Sequence, residues 1–273
     1  LEGEVDMSPL DILQMLGRAG RPGYDDVGYG WVVCDRSEAD KYRRLLREGK
    51  EIESRLAEDL DSHLNAEIAM GTIRGLDDVM AWLETTFYYR RARSKPDAYA
   101  FDTLRYRVRE TLETLVDRGF VEMGDDLSVG GTTLGRRASK YYLRLATAAR
   151  FHALADRETI SADDILEGVA GAAEFRSASA RTSEADAVDE VLSGVSTELE
   201  GGPRKVLAIL QAAMDDATPA DLRSDAWIIR QNALRLVSAL REFLAAFAGP
   251  RAANLARRVE ARIEHGVPRD AVG

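Results

Sequence analysis

Apolar residues recur at three- and four-residue intervals through most of this chain, and only short stretches break into strand-like alternation. A first helix is expected from residue 9 to about 16, because Ser8-Pro9-Leu10-Asp11 is a capping box with proline at the first helical position. Residues 28–35 (GYGWVVCD) read as a short buried strand, and residues 37–49 as a polar, charged helix. From about Glu53 the order changes to helix, helix, helix and hairpin: 63–70, 76–87 and 101–118 have helical spacing, and 120–129 alternates about Gly124-Asp125-Asp126. That order is a winged helix.

From about Arg150 the pattern is helical throughout. Capping signals stand at Ser161 to Asp164, Ser183 to Asp186 and Thr218 to Asp221, and Gly201-Gly202-Pro203 reads as a break between helices. The last cap opens the longest periodic segment, about 219–248. Leu222, Ala226, Ile229, Ala233, Leu236, Val237, Leu240, Leu244 and Phe247 form one core-facing stripe there. Beside it Arg223, Trp227, Arg230, Leu234 and Arg241 share a flank, alternating cations with an indole. Such a flank can hold single-stranded nucleic acid by base stacking and backbone contacts. Periodicity alone favours a Trp at the core edge with solvated arginines.

Composition narrows the options. The 47 acidic and 37 basic residues give a net charge of -10, which excludes attraction of the whole chain to nucleic acid. Only five of the basic residues are lysine, Lys41, Lys50, Lys95, Lys140 and Lys205; the balance is that expected of a salt-loving archaeon or of an acidic fragment whose basic half lies upstream. Cys34 is the single cysteine, so a disulfide framework is excluded and a reducing cytoplasm fits. His63, His152 and His265 are scattered, and no metal site is expected. No apolar run is long enough to span a membrane.

The chemistry concentrates at residues 14–23, QMLGRAGRPG, where two arginines stand three residues apart among glycines. Arginine forks serve phosphoryl transfer, being worth about 10³ to 10⁵ in rate where an arginine finger has been measured. QxxGRAGRPxxD resembles the sixth conserved motif of superfamily 2 helicases, in the variant of the superkiller-like family and its archaeal fork-repair DNA helicases. The resemblance implies that Gln14 faces the γ-phosphate and attacking water, that Arg18 and Arg21 are the finger arginines, and that Gly17 and Gly20 bring the backbone close to the nucleotide. Asp25 fills the acidic position after the proline. Residues 132–143, TTLGRRASKYYL, resemble the TxLGxxxSxYY exit of the family's winged-helix domain, and HLNAEIAMGTI and TFYYRR fit as well.

The implied architecture is mainly α: the end of a RecA-like α/β motor domain (1–52), a winged-helix domain (53–148) and an all-helical bundle (149–273). Residues 1–7 would be the returning strand of a strand-separating hairpin. The long helix would be the family's ratchet helix, with Arg223, Trp227 and Arg230 on the translocating strand; a shift of alignment puts Arg235 at the aromatic position instead. Arg105, Arg107 and Arg109 on the third winged-helix helix would read DNA in an ordinary winged helix. Asp125 and Asp126 at the wing tip oppose that use, and packing against the motor is expected instead. Tyr88, Tyr89, Arg90, Arg91 and Arg93 could stack on a strand or form a domain interface.

The sequence has no GxxxxGK[ST] and no DExH box. The expectation is therefore the C-terminal piece of a longer ATP-dependent helicase, 3′ to 5′ on single-stranded or forked DNA and inactive by itself. ATP and Mg2+ would be bound mainly by upstream RecA-like domains of the same chain. An RNA helicase of the superkiller type, and a winged-helix binding protein without a motor, are the competing readings.

Overall fold

The computed structural model describes residues 7–21 and 23–267. Residues 1–6, most of the expected returning hairpin strand, lie outside the described residues. The chain divides into two compact units, residues 1–55 and 56–273. It is mainly α, as expected.

Among its described residues the first unit holds two helices, α1 (Pro9–Leu16) and α2 (Ala39–Glu48). Proline opens α1 and Gly17 closes it, the Gly17 N–H donating to Leu13 O at 2.9 Å. Residues 28–35 form no strand, contrary to expectation, and Tyr29, Trp31 and Val33 are exposed. A strand is stable only against a ladder partner, and no described segment of this unit pairs with it.

The second unit begins with the winged helix. Its helices are α3 (Leu60–Met70), α4 (Leu76–Thr85), α5 (Phe87–Ser94), α6 (Pro96–Tyr99) and α7 (Leu104–Asp117). The helix expected over 76–87 stops early because Thr86 is extended (ψ 153°) and its side chain accepts from Tyr89 N, starting α5. The one expected over 101–118 opens with a separate 3₁₀ turn, Phe101–Thr103. Strands β1 (Val121–Met123) and β2 (Val129–Gly131) pair antiparallel, with Glu122 opposite Gly130. Gly75 bridges to Ser128, so the link between α3 and α4 adds a third edge to the wing.

Among the described residues seven further helices follow: α8 (Thr133–Lys140), α9 (Leu145–Ala155), α10 (Ala162–Ala170), α11 (Ala185–Val191), α12 (Gly201–Met214), α13 (Arg223–Phe247) and α14 (Pro250–His265). Ser161 and Asp164 form the expected reciprocal capping box of α10. Gly201-Gly202-Pro203 is not a break outside a helix: these residues make the first turn of α12. Proline is tolerated there because its missing N–H has no partner in a first turn. Nor does Ser183 cap a helix; it sits within a 3₁₀ turn, Thr182–Glu184, that feeds α11. Likewise a 3₁₀ turn, Ala220–Leu222, precedes α13.

One apolar core runs through the unit from Leu60 to Ile263. Gly135 marks a tight point within it: a Cβ there would lie 2.1 Å from Phe120 O and 2.6 Å from Asn65 Oδ1. Asn65 Nδ2 also donates to Gly135 O at 3.0 Å, clamping α8 to α3. Gly135→Ala gains about 1 kcal/mol of helix propensity but meets a backbone oxygen that no rotamer change can move. Overpacking of about 1 to 3 kcal/mol should therefore win, lowering the denaturant midpoint in a urea titration.

Candidate nucleotide and nucleic-acid sites

Gln14 occupies the last turn of α1, and Arg18 and Arg21 follow in the turns after it; all three are exposed. Gly20 adopts φ 83°, where a side chain is strained, and a Cβ on it would approach Gly28 Cα to 3.2 Å. A Cβ on Gly28 would lie 2.2 Å from Ala19 O. The glycines thus bring two backbone segments together beneath the arginines. Asp25 fixes the loop: its carboxylate accepts from Arg21 N at 2.8 Å and lies 3.5 Å from Arg21 Nε. The Arg21 guanidinium also stands 5.6 Å from the Tyr24 ring centre. Two exposed guanidiniums on one short loop, with the Gln14 amide on the helix before it, are groups that can hydrogen-bond phosphate oxygens. Among the described residues, no group of three or more His, Cys, Asp or Glu side chains is placed to hold a metal ion.

In the second unit α13 runs 25 residues, about 37 Å. Its expected stripe is the core face: Leu222, Ile229, Ala233, Leu236, Val237, Leu240 and Leu244 are buried. The expected basic flank divides. Arg230 donates to Glu264 O on α14, and its Nε is buried without a partner. Arg241 pairs with Glu260 at 2.7 Å, also on α14. Packing of α14 thus takes these two cations, and periodicity within α13 could not show that. Arg223 and Trp227 remain exposed, Trp227 to 71%. With Arg230, Ala213 and Thr218 they line an open groove of about 400 Å³. The outward face of α13 is Trp227, Ile228, Gln231 and Arg235, and Arg235 Nη1 donates to Tyr141 O at 3.1 Å.

Of the winged helix's expected DNA-facing arginines, Arg107 is held internally, while Arg105 and Arg109 stay exposed. Arg107 donates to the Tyr88 hydroxyl at 3.0 Å and to Tyr99 O at 2.8 Å, and Arg109 pairs with Glu113 at 2.9 Å. Tyr88 is buried, which removes it as a stacking platform, while Tyr89 packs edge-on against Phe101. Hydrogen bonds from the hydroxyl and N–H of Ser128 hold the Asp126 carboxyl below its usual range, so the wing tip stays negative.

A group that sequence reasoning missed lies at the root of α13. Lys205, buried in α12, donates from Nζ to Glu184 Oε1 at 2.7 Å, to Asp225 Oδ2 and to Ser179 O. Glu184 is buried too, and Arg181 stands 3.6 Å from it. The Lys205 hydrogen bond is the main cause holding the Asp225 carboxyl below its usual range. A lysine directly preceding the apolar run Val206 to Leu210 was the available signal.

The family model described as the Sec63 Brl domain matches residues 131–269, half of the chain. The chain belongs to the Sec63 Brl domain family. A model described as a Winged Helix-turn-helix domain matches residues 53–129. The human Activating signal cointegrator 1 complex subunit 3 is 33% identical over 87% of this chain. The Drosophila melanogaster U5 small nuclear ribonucleoprotein 200 kDa helicase and an Arabidopsis thaliana DExH-box ATP-dependent RNA helicase are each 34% identical over 88% of it. The chain spans about 12% of the length of each of these relatives. These matches support the expected kinship with superkiller-like superfamily 2 helicases. They do not single out its archaeal fork-repair branch, since the three relatives are animal and plant proteins. No helix among the described residues is long and apolar enough to cross a membrane.

Proposed function

We propose that this chain is the part of an ATP-dependent superfamily 2 helicase that completes the ATP site with Arg18 and Arg21 and guides a single strand along α13. The observation that carries the reading is the exposed indole of Trp227, beside exposed Arg223 and Ile228, on the outward face of a helix whose other face is built into the core. An exposed indole with an arginine one helical turn away offers a base a stacking surface and its phosphate a cation. Bound ATP supplies the phosphoryl group and its Mg2+ the charge neutralisation. Gln14 orients the attacking water, while Arg18 and Arg21 stabilise negative charge on the phosphate oxygens. RecA-like domains of the same polypeptide supply the Mg2+ ligands and the phosphate loop. The exposed Tyr29, Trp31 and Val33 offer those domains an apolar, alternating surface. Cytoplasmic location, and the archaeal, salt-loving origin read from composition, belong to this proposal.

The substrate we assign is single-stranded or forked DNA, translocated 3′ to 5′. Its support is the short path from α4 to α7, which holds only α5, α6 and one 3₁₀ turn and not the long insertion of superkiller RNA helicases. An RNA substrate is the second reading, favoured by similarity to a relative named as an RNA helicase. Unwinding of forked DNA and of tailed RNA duplexes by the full-length protein separates the two. Trp227→Ala should cost about 1 to 3 kcal/mol of single-strand affinity, persisting at high salt, because stacking carries no net charge. Arg235→Ala should matter most at low salt. Arg230→Ala mixes two effects, because its guanidinium also ties α13 to α14. Titration of labelled strands at two salt concentrations reads all three; unchanged affinity for Trp227→Ala removes α13 as the guide.

A further inference from the structure

Tyr142 combines two features that packing does not explain. Its backbone is left-handed, φ 50°, and its side chain is 89% exposed. The position is the exit of α8, where Tyr142 N donates to Ser139 O at 3.1 Å and Leu143 N to Ala138 O at 2.9 Å. Helices that end this way favour glycine, since any Cβ is strained in the left-handed region. Here a large aromatic stands in that conformation and returns no burial. Strain held at a surface position points to a use for the side chain.

The surroundings indicate which use. Tyr141, its chain neighbour, receives the Arg235 hydrogen bond from the outward face of α13, so the α8 corner and that face are contiguous. Lys140 is exposed and its Nζ stands 5.0 Å from the Tyr141 ring centre. Arg235 lies eight residues beyond Trp227, about 12 Å along the helix. An indole, a guanidinium, an ammonium and a phenol ring therefore follow one another over a single surface. In a chain of net charge -10, a local run of cations and exposed rings matches a single-stranded polynucleotide, which offers anions and flat bases in alternation.

We infer that Tyr142 is a second stacking platform, which extends the strand path from Trp227 across Arg235 to the α8 corner. The inference rests on the reading of α13 as the strand guide. The test uses the 273-residue chain with labelled single strands of DNA and, separately, of RNA, comparing wild type, Trp227→Ala, Tyr142→Gly and Tyr142→Phe. Tyr142→Gly should weaken binding roughly 5- to 150-fold while its thermal midpoint is kept or raised, because glycine removes the strain and no packing is lost. Tyr142→Phe should bind within about twofold of wild type, since stacking needs the ring and not the hydroxyl. Wild-type affinity in Tyr142→Gly, or a midpoint lowered by several degrees, overturns the inference and returns Tyr142 to a structural role. Weakened binding by Trp227→Ala with none by Tyr142→Gly sinks this inference alone. Failure of the wild type to bind either polymer removes the α13 reading and this one together.

Discussion

Replacing Arg21 by alanine in the full-length protein lowers ATP turnover by about 10³ or more, with nucleotide affinity reduced far less. The size follows from what an arginine finger does: it meets charge that develops on the phosphate oxygens in the transition state, so its loss falls on turnover and not on ground-state binding. The structure adds that the loss should be chemical and not a folding defect. The Arg21 side chain is 78% exposed, and its ion pair with Asp25 at 3.5 Å is a surface contact of small worth. The backbone hydrogen bond from Arg21 N to Asp25 survives the substitution, so the loop keeps its course. Arg18→Ala should behave similarly. Steady-state hydrolysis and nucleotide titration of each variant measure the two effects separately. Turnover within about tenfold of wild type would remove the arginines from the ATP site.

The largest stability effect is expected at Lys205. Lys205→Met leaves the Glu184 carboxylate buried with only Arg181 beside it, and strips Asp225 of its main partner. Breaking a buried pair by removing one member costs about 3 to 5 kcal/mol, because the remaining charge is desolvated without compensation. For a unit of this size that is a fall of roughly 6 to 20 °C in the thermal midpoint. Adding Glu184→Gln should recover a large part of it, since the stranded charge is then gone. A fall of less than about 2 °C for Lys205→Met would show that water reaches the pair. The pH profile gives an independent reading. Asp225 titrates lower in the folded state than in the unfolded one, so its stabilisation is complete above the ordinary carboxylate range. It is lost as pH falls through the lowered folded value. The acid limb should therefore flatten in Lys205→Met, where Asp225 loses the main cause of its lowered pKa.

How far the sequence could be read depended on whether a feature is local. The core stripe of α13 was legible because its apolar positions keep helical spacing over 25 residues, and the Ser161 cap because Ser161 and Asp164 are three residues apart. The stop after Thr85 depends on one extended residue, Thr86, inside an otherwise helical pattern. The strand expected over 28–35 failed for the opposite reason: its pattern is sound, but pairing is non-local. Within the candidate sites, the exposure of Gln14, Arg18, Arg21 and Arg235 agrees with the residue types, and that of Trp227 with its place on the flank beside the core stripe. The engagement of Arg230 and Arg241 by α14, and of Arg107 by Tyr88, came from packing between helices, which spacing within one helix does not show. The acid pair around Lys205 was invisible for the same reason, since Glu184, Lys205 and Asp225 are about twenty residues apart.

The apolar core that continues from Leu60 to Ile263 has a mechanical consequence. A wing and a bundle that share one interior have no hinge of their own between them, because bending there would open close-packed side chains to water. Residues 56–267 should thus unfold in a single cooperative step, and amide exchange should give α7 and α13 comparable protection. Force applied to a strand lying on α13 would then load the whole body at once, as on a stiff beam, with no give between its wing and its bundle.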